Sequence, residues 1–493
     1  MNEDAFIYPK QEDRDRQDRY AHYDKFYNGN HFDAFAIKGE KNFTERYKRL
    51  RYIAAPFAGL MSRTMADMMF GEPMRIDMND KNNQLFVDAL FQKNQLPTQL
   101  YESELVNSRR GDSLFKIRVG QRNPQAIGSD VEIIIEEVTA AIYMPELNQS
   151  GSRYTPSKEV LATTFEREGN TYLHKEVQVP GFIFNEVYMY DPQSHKIIAE
   201  MNPESFGYAK MQETNIKNRT LLFHVPNIRD GFGYFGTSDY ADLEPLFFAL
   251  NNRLTMTDNI LDRHSDPILA VPPGVIDENG NVNKSALQMF EVDNENPGFN
   301  KPEYIVWNAN LESAFKEIDK LIEMLFLFSE VSPAGTPADK AGGQAESGRA
   351  LKFRLLSSIR KKNRKIRYYD QAIKDMVETA IELAIANGIK IDGLKPSKVE
   401  RPKIKWPDGI INDEVEQTDM AVTRVDAGLS SRADEIAKLD DISPEEAKKK
   451  VAEIDEENDP KVPAIGDTTP TDHPQDNNQP NPPIQPTPPT QAR

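Results

Sequence analysis

Residues 331–348 read Val331-Ser-Pro-Ala-Gly-Thr-Pro-Ala-Asp-Lys-Ala-Gly-Gly-Gln-Ala-Glu-Ser-Gly348. Glycine, proline and alanine dominate, so the stretch is a loop between regular elements. After it the chain carries helical spacing without a break to about Asn387, where Gly388 supplies a C-cap. A helix of about 42 residues spans roughly 63 Å, a length rare in a compact enzyme core. On the other side of the loop, Leu311, Phe315, Ile318, Ile322 and Leu325 form the stripe of a second helix. Ahead of that helix, Ile268 to Asn308 reads as a compact β-rich insert, with Pro272-Pro273-Gly274 and a hairpin turn at Glu278-Asn-Gly-Asn281. Asp266-Pro267 closes a helix whose face is marked by Leu243, Leu246, Phe247, Leu250, Leu254 and Leu261. Running from Asp242 to His264, it tolerates Pro245 only if it starts just before it, and about 22 residues span roughly 33 Å. The two helices bracket the insert like the sides of a stalk.

Further out, Tyr20, Tyr23, Phe26 and Tyr27 interrupt a charged first segment of about 40 residues, expected to be an arm with short helices. From Asn42 to Phe70 apolar residues recur at helical spacing until Gly71-Glu72-Pro73 ends the run. Between about Met74 and Val225 the period shortens to that of strands, as in Ser113 to Val119, Val131 to Ile135 and Val187 to Tyr190. A helical stretch from Gln84 to Arg110 interrupts them, making a mixed α/β region. Past the long helix the sequence predicts a strand at Lys403 to Trp406 and helices at Asn412–Ala427, Ser431–Leu439 and Pro444–Ile454. From Asp459 onward a Pro-, Asn-, Gln- and Thr-rich tail lacks spaced apolar residues and is expected to be disordered.

The 493 residues hold no cysteine, which excludes disulfides, a thiolate nucleophile and cysteine-ligated zinc. The start has neither the basic end nor the apolar stretch of a signal peptide, and no run reaches membrane-spanning length, so a soluble protein with no membrane partner is expected. A net charge of −18 with 28% charged residues argues against bulk wrapping of nucleic acid, and a mean hydropathy of −0.64 fits an assembly component with much polar surface.

Chemistry-bearing patterns are sparse. Gly343-Gln-Ala-Glu-Ser-Gly348 has the glycine spacing of a phosphate loop, but Arg349 and Ala350 stand where lysine and a metal-binding hydroxyl are needed. The seven histidines show no helical ligand spacing, and no nucleophile elbow occurs. No cofactor, metal or catalytic set is therefore expected. Leu321 to Phe328 is apolar nearly all round, too short for a bilayer, and is expected to be buried between helices. The strongest charge signal is Arg349 to Arg367, where Arg349, Lys352, Arg354, Arg360, Lys361, Lys362, Arg364, Lys365 and Arg367 meet no acidic residue. Contact with DNA phosphates is one reading; pairing with acidic surfaces of adjacent subunits, or plain solvation, is the other.

Specific stretches resemble the tailed-bacteriophage portal protein family. Phe70-Gly-Glu-Pro-Met-Arg-Ile76 is similar to its Gly-x-Pro turn, Arg110-Gly-Asp-Ser-Leu-Phe-Lys-Ile-Arg118 to its Gly-led strand, and Phe235-Gly-Thr-Ser-Asp239 to the entrance of its stem helix. Glu346-Ser-Gly-Arg-Ala-Leu-Lys-Phe-Arg-Leu-Leu-Ser-Ser358 resembles the start of its long helix, and Ala427-Gly-Leu-Ser-Ser431 with Pro444-Glu-Glu446 its C-terminal stretch. Together these cover about Asn42 to Glu457, and their order is the most specific part of the likeness.

The resemblance implies an α+β portal-like subunit: an arm (1–41), an α/β wing (42–241), stem helices (242–265 and 309–330) around a small clip (266–308), a tunnel loop (331–348), a long wing helix (349–388), an upper wing and helical crown (389–457) and a Pro-rich tail (458–493). It implies a non-enzymatic ring, usually of twelve subunits, at one capsid vertex of the virion, assembled in the bacterial host cytoplasm. Double-stranded DNA would pass through the tunnel, with Pro333, Lys340, Gly342, Gly343 and Arg349 as candidate contacts. Terminase and later a head-completion adaptor would dock on the clip through Pro272, Pro273, Asn279, Gly280, Tyr304 and Trp307, while wing and crown would face major capsid and scaffold proteins. Another virion subunit, a minor capsid or adaptor protein, is the nearest alternative. A packaging ATPase or nuclease is the more distant one.

Overall fold

The computed structural model describes residues 7–37, 47, 50–122, 131–148, 155–231, 233–265, 268–270, 303–305, 311–334, 348–407, 414–440 and 442–458. It is a mixed α/β fold of antiparallel sheets and helices, dividing into Met1–Ile411 and Asn412–Arg493.

In the first unit, the N-terminal segment is part of the body. Helix α1 (Gln11–Tyr27) and helix α2 (His31–Ile37) bury Tyr20, Phe26, Ala34 and Phe35, which corrects the expected arm. Arg16 is buried as well, donating to Ala140 O at 3.0 Å and Tyr143 O at 2.6 Å. Of the helical run expected from Asn42 to Phe70, the described residues show Tyr47 as helical, a non-helical stretch at 50–56, and then α3 (Phe57–Phe70) after Pro56. Strand β1 (Arg75–Asp77) follows, and the helical stretch before Arg110 is two helices, α4 (Lys81–Lys93) and α5 (Leu96–Arg110). Asp80 caps α4 by accepting from Asn82 N and Asn83 N, and Gln95 turns the chain at a φ of 50° between the two helices.

Strands β2 (Asp112–Gln121) and β3 (Val131–Val138) form a three-stranded sheet with β10 (Leu222–Pro226), in the order β10-β2-β3. A separate antiparallel meander holds β4 (Glu146–Leu147), β5 (Pro156–Arg167), β6 (Asn170–Val179), β7 (Phe182–Asp191), β8 (Lys196–Met201) and β9 (Met211–Glu213). Glu168 and Gly169, both at positive φ, make the two-residue turn that sets the β5–β6 register.

The two stalk helices are α6 (Glu244–Ser265) and α7 (Glu312–Ser329), and they pack side by side with Arg253 bound to Glu317 at 2.8 Å. Starting at Glu244 places Pro245 in the first turn, where its missing N–H costs nothing. Between them, β11 (Ile268–Ala270) pairs antiparallel with β12 (Glu303–Ile305). The apolar segment at the end of α7 is only half buried: Leu325 and Phe326 face inward, whereas Leu327 and Phe328 face solvent.

The single long helix expected after the loop is two, α8 (Gly348–Arg354) and α9 (Leu356–Asn387, 32 residues). Helix α9 ends on Gly388 at a φ of 66°, with Ile389 N–H closing onto Ala384 O at 2.9 Å. Its buried stripe of Tyr369, Ala372, Ile373, Met376, Val377, Ala380, Ile381 and Ala384 packs on Phe86, Leu100, Phe115 and Ile133. Each large apolar side chain buried there contributes about 1.5–3 kcal/mol. Finally β13 (Lys403–Lys405) pairs with β1.

The second unit holds α10 (Glu414–Asp426), α11 (Arg432–Leu439) and α12 (Pro444–Asn458). Ser431 and Asp434 form a capping box at the start of α11. Ala421 and Ala447 are buried there, while Leu429, Met420 and Val422 are exposed.

Candidate functional site: a buried polar junction at the roots of the helical pair

The connection from β10 to α6 crosses the end of α5 at the closest range backbone allows. Gly111, the C-cap of α5 at a φ of 95°, faces Gly236; a Cβ on Gly236 would collide with Gly111 O and lie 2.6 Å from Asn227 N. The approach lets Asn227 N–H reach Gly111 O at 2.8 Å and Asp239 N–H reach Ser108 O at 2.8 Å. It also lets Gly236 N–H reach Asp112 Oδ1 at 2.8 Å. Asp112 further accepts from Tyr20 Oη–H at 2.6 Å and pairs with His224 Nε2 at 2.7 Å; burial pushes the His224 imidazole below its usual pKa.

Asp239 then carries the junction. Its carboxylate accepts from Ser108 Oγ at 2.7 Å and Asn227 Nδ2 at 2.9 Å, and it meets Lys361 Nζ at 3.0 Å and Lys365 Nζ at 2.7 Å. Burial alone would raise its pKa, but the two lysines hold it well below the carboxylate range. Lys365, 0% exposed, also binds Glu104 Oε1 at 2.6 Å, and these two carboxylates hold its ammonium above the usual lysine value against the cost of burial. Glu104 Oε2 has no hydrogen-bond partner among the described residues.

The same helix holds the root of α7. Lys361 Nζ donates to Ser329 O at 2.9 Å, Arg364 pairs with Glu330, and Ser358 Oγ accepts from Ser332 N at 2.7 Å. Lys362 donates to Pro407 O at 2.5 Å. Thus α9 grips the residues that lead into α6 and those that follow α7. A partnered, multiply hydrogen-bonded charge cluster fixes one arrangement of these elements, and breaking one partner is costly.

The finding revises the reading of the basic stretch. Lys361, Lys362 and Lys365 are neither solvated nor directed to DNA or a neighbouring subunit; they are buried on partners within this chain. Arg360 and Arg367 remain exposed. Of the candidate contacts chosen from sequence, Pro333 follows α7 directly, Arg349 lies in α8 and Tyr304 stands in β12 opposite Leu269. Lys340, Gly342, Gly343, Pro272, Pro273, Asn279, Gly280 and Trp307 lie outside the described residues. Apart from the cations of the basic stretch, no junction residue was singled out as a site from sequence, although Gly111 and Asp112, Gly236 to Asp239, and Ser358 stand inside the quoted motifs. Those separate motifs are one place in the fold. Among the described residues no group of three His, Asp or Glu side chains is arranged to hold a metal ion, and no helix is long and apolar enough to cross a membrane.

Residues 158–461, well over half of the chain, match the profile of a family described as phage portal protein, SPP1 Gp6-like. No curated protein matches the chain. Among solved structures, the neck of an empty gene transfer agent particle, computed with C6 symmetry, aligns at 10% identity over 81% of this chain and 94% of that one, with a TM-score of 0.44. The virion of the native gene transfer agent particle aligns at 10% identity over the same shares, with a TM-score of 0.42.

Proposed function

Because the chain belongs to the SPP1 Gp6-like phage portal protein family, whose members are structural rather than catalytic, we propose that it is the repeated subunit of a portal ring through which double-stranded DNA enters and leaves the capsid. The observation that carries this reading is the junction: α9 fastens both roots of the α6–α7 pair to a sheet-backed body, as a channel wall under load requires. In this reading twelve copies close around the channel at one capsid vertex of the virion. The α6–α7 pair is the stem, residues 266–308 the clip that docks terminase and then the head-completion adaptor, and residues 331–348 the loop nearest the DNA. Body and C-terminal unit face major capsid and scaffold proteins.

The task is mechanical and electrostatic. With a chain charge of −18, a channel lined by ordinary surface lets phosphates slide instead of sticking, and a cation such as Lys340 supplies a brake. Negative-stain microscopy of the purified chain tests the reading: rings with an axial hole are expected, and a monodisperse monomer under every assembly condition overturns it. Lys340→Ala should leave ring formation intact while changing DNA retention in filled heads.

A further inference from the structure

The three-stranded sheet ends on β10, and the outer edge of that strand is open. Two bonds fix the phase of its ladder with β2: Ile117 N–H to Leu221 O at 2.9 Å and Asn227 N–H to Gly111 O at 2.8 Å. Residues 221, 223, 225 and 227 therefore turn their backbone groups toward β2, and Leu222, His224 and Pro226 turn theirs away from it. The outward N–H and C=O groups of Leu222 and His224 meet no hydrogen-bond partner among the described residues. Leu222 is only 5% exposed, and backbone groups withdrawn from water are costly to leave unpaired. Pro226, at the end of the strand, has no N–H and offers its carbonyl alone.

A cavity of about 590 Å³ follows this edge, bounded by Leu222, His224 and Pro226 on β10, Tyr368 and Gln371 on α9, and Ser157 near the start of β5. Its volume is that of a ligand pocket. Its charges are unequal. Arg367 and Arg229 both line it, the first exposed and the second lying over the Tyr234 ring at 5.0 Å. The acids that line it are already engaged: Asp375 binds Arg401 at 2.7 Å and Arg219 at 3.5 Å, while Glu159 accepts from Tyr143 Oη–H at 2.6 Å and from Thr220 Oγ1–H.

We propose that this edge receives an extended acidic segment of another protein, which adds to β10 as a fourth strand of the sheet. Two residues of an extended chain rise about 6.6 Å, so the groups at Leu222 and His224 repeat at the interval of a second strand's own backbone. A small anion would satisfy the donors and leave the acceptors bare. Side chains of the added strand alternate between the two faces of the sheet, and those on the α9 side meet Arg367, which selects carboxylates. A recess of this volume admits one thin segment and excludes a folded surface, which argues against a second copy of the body as the occupant. The inference concerns a single chain and is independent of ring closure.

The probe is a short synthetic peptide in which glutamate alternates with valine, added to the full chain. One counterpart carries lysine in place of glutamate, and another keeps the acidic sequence but is N-methylated at every residue. With the acidic peptide, amide-resolved hydrogen exchange is expected to slow at least tenfold at Leu222 and His224, while Phe223 and Val225, already turned to β2, do not change. Neither counterpart should slow it. Arg367→Glu, at an exposed position, should reverse the preference from the acidic peptide to the lysine one. Exchange that the acidic peptide leaves unaltered overturns the inference, as does equal slowing by all three peptides. If Leu222 and His224 exchange as slowly as Phe223 and Val225 in the free chain, the chain's own residues or a second copy already fill the edge, and the inference falls as well.

Discussion

Lys365 and Arg367 stand two residues apart on the same helix, and the helix sends one into the core and the other into solvent. Lys365 is enclosed by Asp239 and Glu104, whereas Arg367 is exposed. The sequence between Arg349 and Arg367 looks uniform, a block of positive charge, yet it is two functional surfaces wound around one axis. The buried side fixes the subunit's internal geometry, and the outer side is left for other molecules. Lys365→Met should therefore have the largest effect of any single change in this stretch. It leaves Glu104 without its bonded cation and Asp239 with Lys361 as its one remaining lysine partner, and removal of one partner from such a buried pair costs about 3–5 kcal/mol. Guanidinium denaturation should report that loss, and adding Glu104→Leu should recover part of it, because the second uncompensated charge is then gone. Equal losses in the single and double variants would mean that volume rather than charge holds the junction.

The junction also depends on backbone proximity. Gly236→Ala would push a methyl group onto Gly111 O and Asn227 N, neither of which can swing aside, so a loss of about 3 kcal/mol is expected. An exposed glycine such as Gly207, already at a φ of 85° with open space around its Cα, is the contrast: there alanine meets only backbone strain. A smaller melting shift at Gly207 than at Gly236 would confirm that contact, more than conformation, governs the entrance to α6.

Much of this architecture is legible in the sequence because it rests on local patterns. The stripes of α6 and α7, Gly388 as a cap and the strand segments Ser113–Val119 and Val187–Tyr190, which lie inside β2 and β7, follow from spacing alone. What is not legible needs tertiary information. The break at Leu355 leaves no Gly or Pro in the sequence to announce it. The burial of α1 depends on partners more than a hundred residues away, such as Arg16 with Tyr143 O. The lysines were within reach: Tyr369, Lys365 and Lys361 are spaced by four, so extending the apolar stripe of α9 one and two turns toward its start lands on both. Charge identity hid what periodicity contained. Asp239, by contrast, lies in a loop without period, and only the fold brings it to them.

Glu137 sharpens the comparison, because it is less enclosed than Asp239 and yet shifts the other way. Burial, with Glu102 adding, pushes its pKa up to about 7, against the opposing pull of Arg109 and Arg110. For such a group the fold holds the proton more tightly than the unfolded chain does. Its contribution to stability is fully present below about 4.5 and is lost as pH rises through 7. Asp239, held low by its lysines, contributes above the usual carboxylate range and loses that contribution only as the solution becomes strongly acidic. Between pH 5 and pH 8 the Glu137→Gln variant should lack a stability change on the order of 1–2 kcal/mol that the wild type shows, while Asp239→Asn should be destabilised evenly across that window. Parallel pH curves for wild type and Glu137→Gln would place the titrating group elsewhere.

The smallest expected effect is the most informative about the outer side of the helix. Arg360→Ala and Arg367→Ala remove charges as strong as those of the buried lysines, from positions only a few residues away. Both side chains are exposed, so their loss takes no desolvated partner with it, and stability should stay within about 0.5 kcal/mol of wild type. If the outer side serves assembly, the same variants should slow ring formation, and raised salt should slow the wild type toward them, since steering between exposed charges is screened over about a Debye length of 10 Å at 0.1 M. A destabilisation of the size expected for Lys365→Met would erase the distinction between the two faces. Unchanged stability with unchanged, salt-independent assembly would keep the distinction between the two sides of the helix and remove the arginines from the contacts between copies.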